Sequence, residues 1–275
     1  MQALKKFYLG LLLFFMYAPI LVLMVFSFNA SRSRNTWGGF SLRWYIELFN
    51  DPTTQLALRN TVLVAIASTI LATAIGTVAA VGIDKLRRRP RTVIMGLTRM
   101  PVMMPDIVTG LSLMILFLFI FGIINEQIEF INLRLGFGTL LLAHVIFNVP
   151  YVILSVIPRL RQLDPNLYEA ALDLGSNPFM AFRKVILPEL WPGVITGAML
   201  AFTLSIDDFM VSFFTTSPGV QNLSIRIFSM TRRGVDPRIN ALSTIIFIVI
   251  MILLFLINRR DQMLIRRQQQ DEEII

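Results

Sequence analysis

Apolar residues in this chain come in long unbroken runs. They do not alternate as in a half-buried strand, nor follow the three-and-four spacing of a helix on a soluble core. A helix needs roughly 20 mostly apolar residues to cross a hydrocarbon layer about 30 Å thick. Six runs qualify: residues 7–28, 57–83, 107–124, 138–157, 192–214 and 241–257. Their continuity predicts helices rather than barrel strands, whose lipid-facing and lumen-facing positions alternate. The expected fold class is therefore all-α, a polytopic membrane protein with six transmembrane helices. The first run, after Lys5 and Lys6, is too long for a signal-peptide core and lacks a small-residue cleavage site, so it is read as a retained span. No repeat or low-complexity linker divides the chain, and residues 1–275 are read as one domain.

Composition strengthens the membrane assignment. The chain is 55% hydrophobic and 15% charged, with a mean hydropathy of +0.69. Soluble domains average about 45–50% apolar and about 25% charged residues. With no Cys and a single His, His144, thiol chemistry and Cys- or His-rich metal sites are excluded, and no cofactor is expected. A net charge of +8 would suggest nucleic acid in a soluble protein; here it is read as the basic loops that hold a membrane orientation, with lipid and not nucleic acid as the partner. Of the 25 Lys and Arg residues, fifteen fall in one set of segments and nine in the other, with Arg99 between them. The basic run Arg87-Arg88-Arg89 belongs to the larger set, which also holds both termini, so both are expected on the cytoplasmic side. Trp37 and Trp44 are expected in an interfacial aromatic belt.

The segment at about 159–190, between runs four and five, is neither disordered nor simply basic. Asp164-Pro165 reads as a helix start, Gly175 as a left-handed stop, and Asn177-Pro178 as a second start, with a helix running to Pro188. Leu167, Ala171 and Leu174 mark an apolar stripe on the first helix; Phe179, Phe182 and Ile186 mark one on the second. Such a hairpin must dock, either on its own bundle or on a partner. The residues Glu169-Ala170-Ala171, Gly175, Phe182, Ile186, Leu187 and Pro188 resemble the Glu-Ala-Ala loop of permease subunits in binding-protein-dependent ABC importers. The resemblance implies the type I ABC importer permease fold and a coupling helix seated in a separate ATPase subunit. Glu169, Ala170, Ala171, Gly175 and Pro188 would then be the coupling residues. No glycine here is followed by Lys, so the chain has no phosphate-cradling P-loop, and ATP hydrolysis is assigned to another subunit.

Pro101 to Val108, Phe202 to Asp208, and the stretch Ile227 to Met230 with Gly234 and Pro237 resemble the second permease subunit of spermidine/putrescine importers. That resemblance implies a bacterial cell-membrane location. It also implies a homologous permease partner, two copies of an ATP-binding subunit and an extracytoplasmic polyamine-binding protein. Charge supports it independently: an acid inside a span costs about 2.5–3.5 kcal/mol and so faces a bundle interior or an aqueous path. Asp207 and Asp208 fall mid-way along run five, and Asp106 at the mouth of run three. Asp208, slightly ahead of Asp207, is taken as the path-facing group, since consecutive helical residues point about 100° apart; the alternative is pairing with a base or capping of a broken helix. Pro101 and Pro105 frame either a gate or a simple bend. His144 is read as a packing and hydrogen-bonding residue before a substrate contact. Arg32, Arg34 and Arg43 belong either to a solvated loop or to the docking face for a binding protein. Permeases of other small solutes share this framework. A membrane enzyme acting on lipid head groups would need a metal-ligand cluster or nucleophile–base pair that the sequence does not offer.

Overall fold

A computed structural model describes residues 2–33, 36–127, 132–164, 166–232, 236–249 and 251–252, with the side chains of residues 2–4 excepted. Apart from one isolated bridge between Asn29 and Phe40, the described residues form helices joined by short turns. These are α1 (Gln2–Ser27), α2 (Arg43–Phe49), α3 (Pro52–Asp84), α4 (Arg88–Met103), α5 (Asp106–Gln127) and α6 (Phe137–Leu160). Then follow α7 (Leu167–Asp173), α8 (Pro178–Ala181), a π-helical turn (Phe182–Ile186), α9 (Leu187–Asp207), α10 (Met210–Thr215), α11 (Leu223–Arg232) and α12 (Arg238–Val249). Five helical stretches are long and apolar enough to cross a membrane: Lys5–Ser27, Pro52–Asp84, Asp106–Gln127, Phe137–Leu160 and Pro178–Asp207. They match the first five runs; each starts before its run, the second, third and fourth also extend beyond their runs, and the fifth stops at Asp207, short of the run's end. Of the sixth run, α12 covers the beginning, and residues 253–257 lie outside the described residues.

Two compact units are present, residues 1–55 with 227–275, and residues 56–226. In the first, the side chain of Asn29 organises the loop after α1. Its Oδ1 accepts from the backbone N–H of Ser31 (3.1 Å) and Gly38 (2.7 Å), and its Nδ2 donates to Thr36 O (2.9 Å). Trp44 on α2 inserts beneath this loop, 1% exposed, and donates from Nε1 to Asn29 O at 2.6 Å. The interfacial-belt expectation is thus corrected for Trp44, because its indole N–H has a buried backbone acceptor; Trp37 remains exposed.

The second unit is built around α6, which buries residues on most of its circumference, among them Leu140, His144, Asn148, Val152 and Val156. Apolar surface cannot drive one helix onto another inside lipid, so close approach relies on small residues. Val152 is held in this way from two sides. A Cβ placed on Gly76 of α3 would come within 2.7 Å of Val152 Cβ, and one on Gly197 of α9 within 3.1 Å of its Cα. A second cluster, Leu113 and Phe117 of α5, Ala143 and Phe147 of α6 and Val211 of α10, closes the other end. Hydropathy did not reveal α4, whose sixteen residues include the basic start Arg88-Arg89. This helix continues through Pro101, and the chain becomes extended only at Met104, before Pro105.

Candidate functional site

Run five is not one continuous span. Helix α9 ends at Asp207, Asp208 is extended (φ −60°, ψ 128°), and α10 restarts two residues later. The cause is local. Asp208 Oδ1 accepts from Val211 N (3.1 Å), and its Oδ2 accepts from Ser212 N (2.7 Å) and Ser212 Oγ (2.8 Å). A short polar side chain that takes up the first N–H groups of the next helix competes with helix continuation. Asn222 ties the break to the start of α11. Its Nδ2 donates to the main-chain carbonyl of Asp208 (3.1 Å) and to Ser212 Oγ (2.6 Å), while its Oδ1 accepts from Ile225 N (2.9 Å). Thr61 of α3 accepts the next N–H, that of Leu223, at 2.7 Å.

Behind the break lies α6. His144 Nδ1 donates to Leu140 O (2.8 Å), and its Nε2 faces Ser212 Oγ (3.4 Å) and Asp208 Oδ2 (3.6 Å). His144 and Asp208 side chains are 1% and 5% exposed. One turn along, Asn148 donates to Ser205 Oγ (2.7 Å), which meets Ser68 Oγ of α3 at 3.0 Å.

Asp207 and Asp208 therefore do not share a helix surface, and the 100° argument does not apply to them. Their exposures are also the reverse of the sequence reading: the Asp208 carboxylate is buried among its donors, and Asp207 is exposed. Asp106, the first residue of α5, is exposed as well. Its charge is within electrostatic reach of Asp207 and of the hydroxyl of Tyr151 of α6. Three elements thus bring Asp106, Asp207 and Tyr151 into one electrostatic neighbourhood at the break. Among the described residues no three His, Asp or Glu side chains converge as a metal site. Sequence reasoning missed Ser212, Asn222 and Tyr151. The i, i+4 pairs Asp208–Ser212 and His144–Asn148 were a usable signal on helices otherwise apolar; Asn222, in a turn, carried none.

The hairpin follows the predicted helix–Gly–helix plan with two corrections. Its first helix is regular only from Leu167, after a turn in which the Asp164 side chain accepts from Asn166 N (2.9 Å); Pro165 lies outside the described residues. Its second helix does not stop at Pro188. A proline in a helix lacks a donor and clashes with the carbonyl four residues back. The π turn over Phe182–Ile186 lets the helix run on through Pro188 into α9. Between the two helices Gly175 takes φ +83°, with Gly175 N donating to Leu172 O (2.9 Å) and Ser176 N to Ala171 O (3.2 Å), a Schellman closure. Asn177 Oδ1 then accepts from Met180 N (2.7 Å), capping α8. The inner ends of the two stripes pack on the unit's core through Leu167, Phe182 and Ile186. The outer ends, Leu174 and Phe179, are 88% and 71% exposed on either side of the glycine. Glu169 and Ala170 are exposed and Ala171 is buried. Of the outer-loop arginines, Arg43 pairs with Glu47 at 2.6 Å, Arg32 is exposed, and Arg34 lies outside the described residues.

Residues 72–269 match the family described as binding-protein-dependent transport system inner membrane component. The spermidine/putrescine transport system permease protein PotC of Escherichia coli (strain K12) is 38% identical over 234 residues, 85% of this chain and 84% of that protein. The putrescine transport system permease protein PotI of the same organism is 40% identical over 233 residues, covering 84% and 81% of the two chains. Among solved structures, a chain of a bacterial alginate ABC transporter in complex with an alginate pentasaccharide-bound periplasmic protein superposes with a TM-score of 0.68. It covers 92% of each chain at 15% identity, a likeness of fold alone.

Proposed function

The chain belongs to the family of binding-protein-dependent transport system inner membrane components, and we propose that it forms half of the translocation pathway for a polyamine. It is a permease component and not an enzyme, and its fold is that of ABC importer permeases. In the proposed assembly it pairs with a homologous permease subunit. Two copies of an ATP-binding subunit drive the pair, and an extracytoplasmic polyamine-binding protein supplies it. Residues 1–275 act as one permease domain in a bacterial cell membrane with both termini cytoplasmic, the side that the Lys and Arg distribution favours. The hairpin then lies on the ATPase side: Gly175 sets its turn, and Glu169, Ala170 and the exposed Leu174 and Phe179 offer a face to the ATPase. Ala171 and Pro188 act from within, one by close packing and the other through the π turn before it.

The observation that carries the polyamine reading is exposed Asp207 at a break in an otherwise apolar span, with exposed Asp106 at the start of α5 within reach of its charge, in a chain 38–40% identical to polyamine permeases. A polyamine leaving water loses hydration around each ammonium group. Carboxylates in a path of reduced dielectric offset that loss, each by about 1–4 kcal/mol between the limits of bulk water and a protein surface. Asp207 is the principal pathway acid in this reading, Asp106 the second, and Asp208 contributes by shaping the break. The test is uptake of labelled spermidine and putrescine, with rates normalised to membrane abundance. Asp207→Asn should lower the maximal rate about tenfold, the equivalent of about 1.4 kcal/mol, and Asp106→Asn less. The half-saturation concentration should hold, because the binding protein sets it. Wild-type rates in both variants would refute the acidic pathway and the cationic substrate with it.

A further inference from the structure

The hydrogen-bond geometry around Asp208 fixes a count of protons. Leu140 O can only accept, so His144 Nδ1, 2.8 Å away, must carry a proton. In a neutral imidazole the other nitrogen, Nε2, then has none. Nε2 faces Ser212 Oγ at 3.4 Å and Asp208 Oδ2 at 3.6 Å. Ser212 has one hydroxyl proton, and its contact to Oδ2 at 2.8 Å claims it. Its oxygen lone pairs face Asn222 Nδ2, which donates at 2.6 Å. A neutral His144 would therefore aim a lone pair at a carboxylate, in a place where both side chains are almost fully buried. Uncompensated charge is most costly there. One further proton, on Nε2, turns this repulsive contact into an ion pair at 3.6 Å.

We infer that His144 and Asp208 form a buried proton-binding site at the break in run five, occupied at neutral pH by one proton taken from water and held on His144 Nε2 against Asp208 Oδ2. The carboxylate is the ionised partner, because three donors, Val211 N, Ser212 N and Ser212 Oγ, converge on it. The occupied site is neutral overall. Nearest to the network along the surrounding elements, the other charged or titratable groups are Asp207 of α9, Asp106 of α5, Tyr151 two turns along α6, Arg226 one turn beyond Asn222 on α11, and Arg59 of α3, two residues before Thr61. From α3 the network meets only the neutral Thr61 and Ser68. With Asp208 matched in this way, Asp207 is the acid whose charge remains outward. The proton count itself holds whichever solute the chain carries.

His144 is the chain's single histidine, so the site can be read directly. The full chain, labelled with [15N]histidine and reconstituted in lipid, is examined by solid-state NMR close to neutral pH, at pH about 7.5, where a solvent-exposed imidazole is mostly neutral. Both ring nitrogens should show attached protons. In Asp208→Asn the spectrum should revert to a neutral ring protonated on Nδ1 alone. A neutral ring in the wild-type chain at this pH, in either tautomer, overturns the inference. A second measurement does not depend on the folding of Asp208→Asn by itself. His144→Leu leaves the carboxylate buried and unpaired, and the membrane level of the chain should fall several-fold. Adding Asp208→Asn removes that charge and should restore the level to within about twofold of wild type. A double variant no more abundant than His144→Leu would mean that the two residues do not share a proton.

Discussion

A Gly175→Pro chain should reach the membrane in near-normal amount, assemble poorly or unproductively with its ATPase, and carry no measurable solute. Gly175 holds φ +83°, whereas proline is locked near −65°, so the substitution cannot keep the turn. It also removes the N–H that closes α7 onto Leu172 O. Nothing lies within 4 Å of the position where a Cβ would stand, so the loss is one of backbone conformation and not of packing. Gly175→Ala separates the two: it meets only the left-handed penalty of about 1–2 kcal/mol and should retain partial transport. The damage falls on the exposed pair Leu174 and Phe179, whose relative placement the turn dictates, while the inner stripe stays anchored through Leu167, Phe182 and Ile186. Glu169→Lys, which reverses an exposed charge on the same hairpin, should likewise abolish uptake without lowering the membrane level. The decisive readouts are uptake and ATPase stimulation by the loaded binding protein. Near-normal values of both in either the Pro or the Lys variant would remove the hairpin from the coupling mechanism.

The spans and the hairpin were legible because each rests on a signal that one stretch of sequence contains whole. Twenty apolar residues are enough to require a crossing helix, and Gly175 followed by Asn177-Pro178 is enough to stop one helix and start another. The break at Asp208 was not legible in the same way. Hydropathy treats residues 192–214 as one run, and the break depends on where the Asp208 carboxylate finds donors, a choice that Asn222, Thr61 and His144 help to fix from three other elements. The same reason explains Trp44: its ring suits a membrane interface, and only the contact of its Nε1 with Asn29 O at 2.6 Å, with the ring 1% exposed, shows that the indole is buried. Pro188 illustrates the opposite error. A local rule stops a helix there, and a π turn upstream, which no local rule anticipates, lets the helix continue.

The broken span approaches α5 most closely at Gly110. A Cβ on Gly110 would stand 2.9 Å from Met210 O and 3.1 Å from Val211 Cα, both main-chain atoms of α10, and 3.1 Å from the Phe214 ring. A ring can turn aside; the first turn of a helix whose N–H groups are held by Asp208 cannot move without releasing them. Even one methyl group is expected to cost about 1–3 kcal/mol in such a contact, and a β-branched side chain more. Gly110→Val should therefore push α10 off α5, open the network at Ser212 and Asn222, and abolish uptake with a several-fold loss of chain from the membrane. Gly122, three turns further along the same helix, has nothing within 4 Å of its Cβ position, and Gly122→Val should accumulate at near wild-type level. The pair controls for helix propensity and for added apolar volume, since both substitutions are made in α5 and differ only in what the new side chain meets. Membrane abundance and heat stability of the two variants decide the point, and equal behaviour would show that the contact between α5 and α10 does not seat the break.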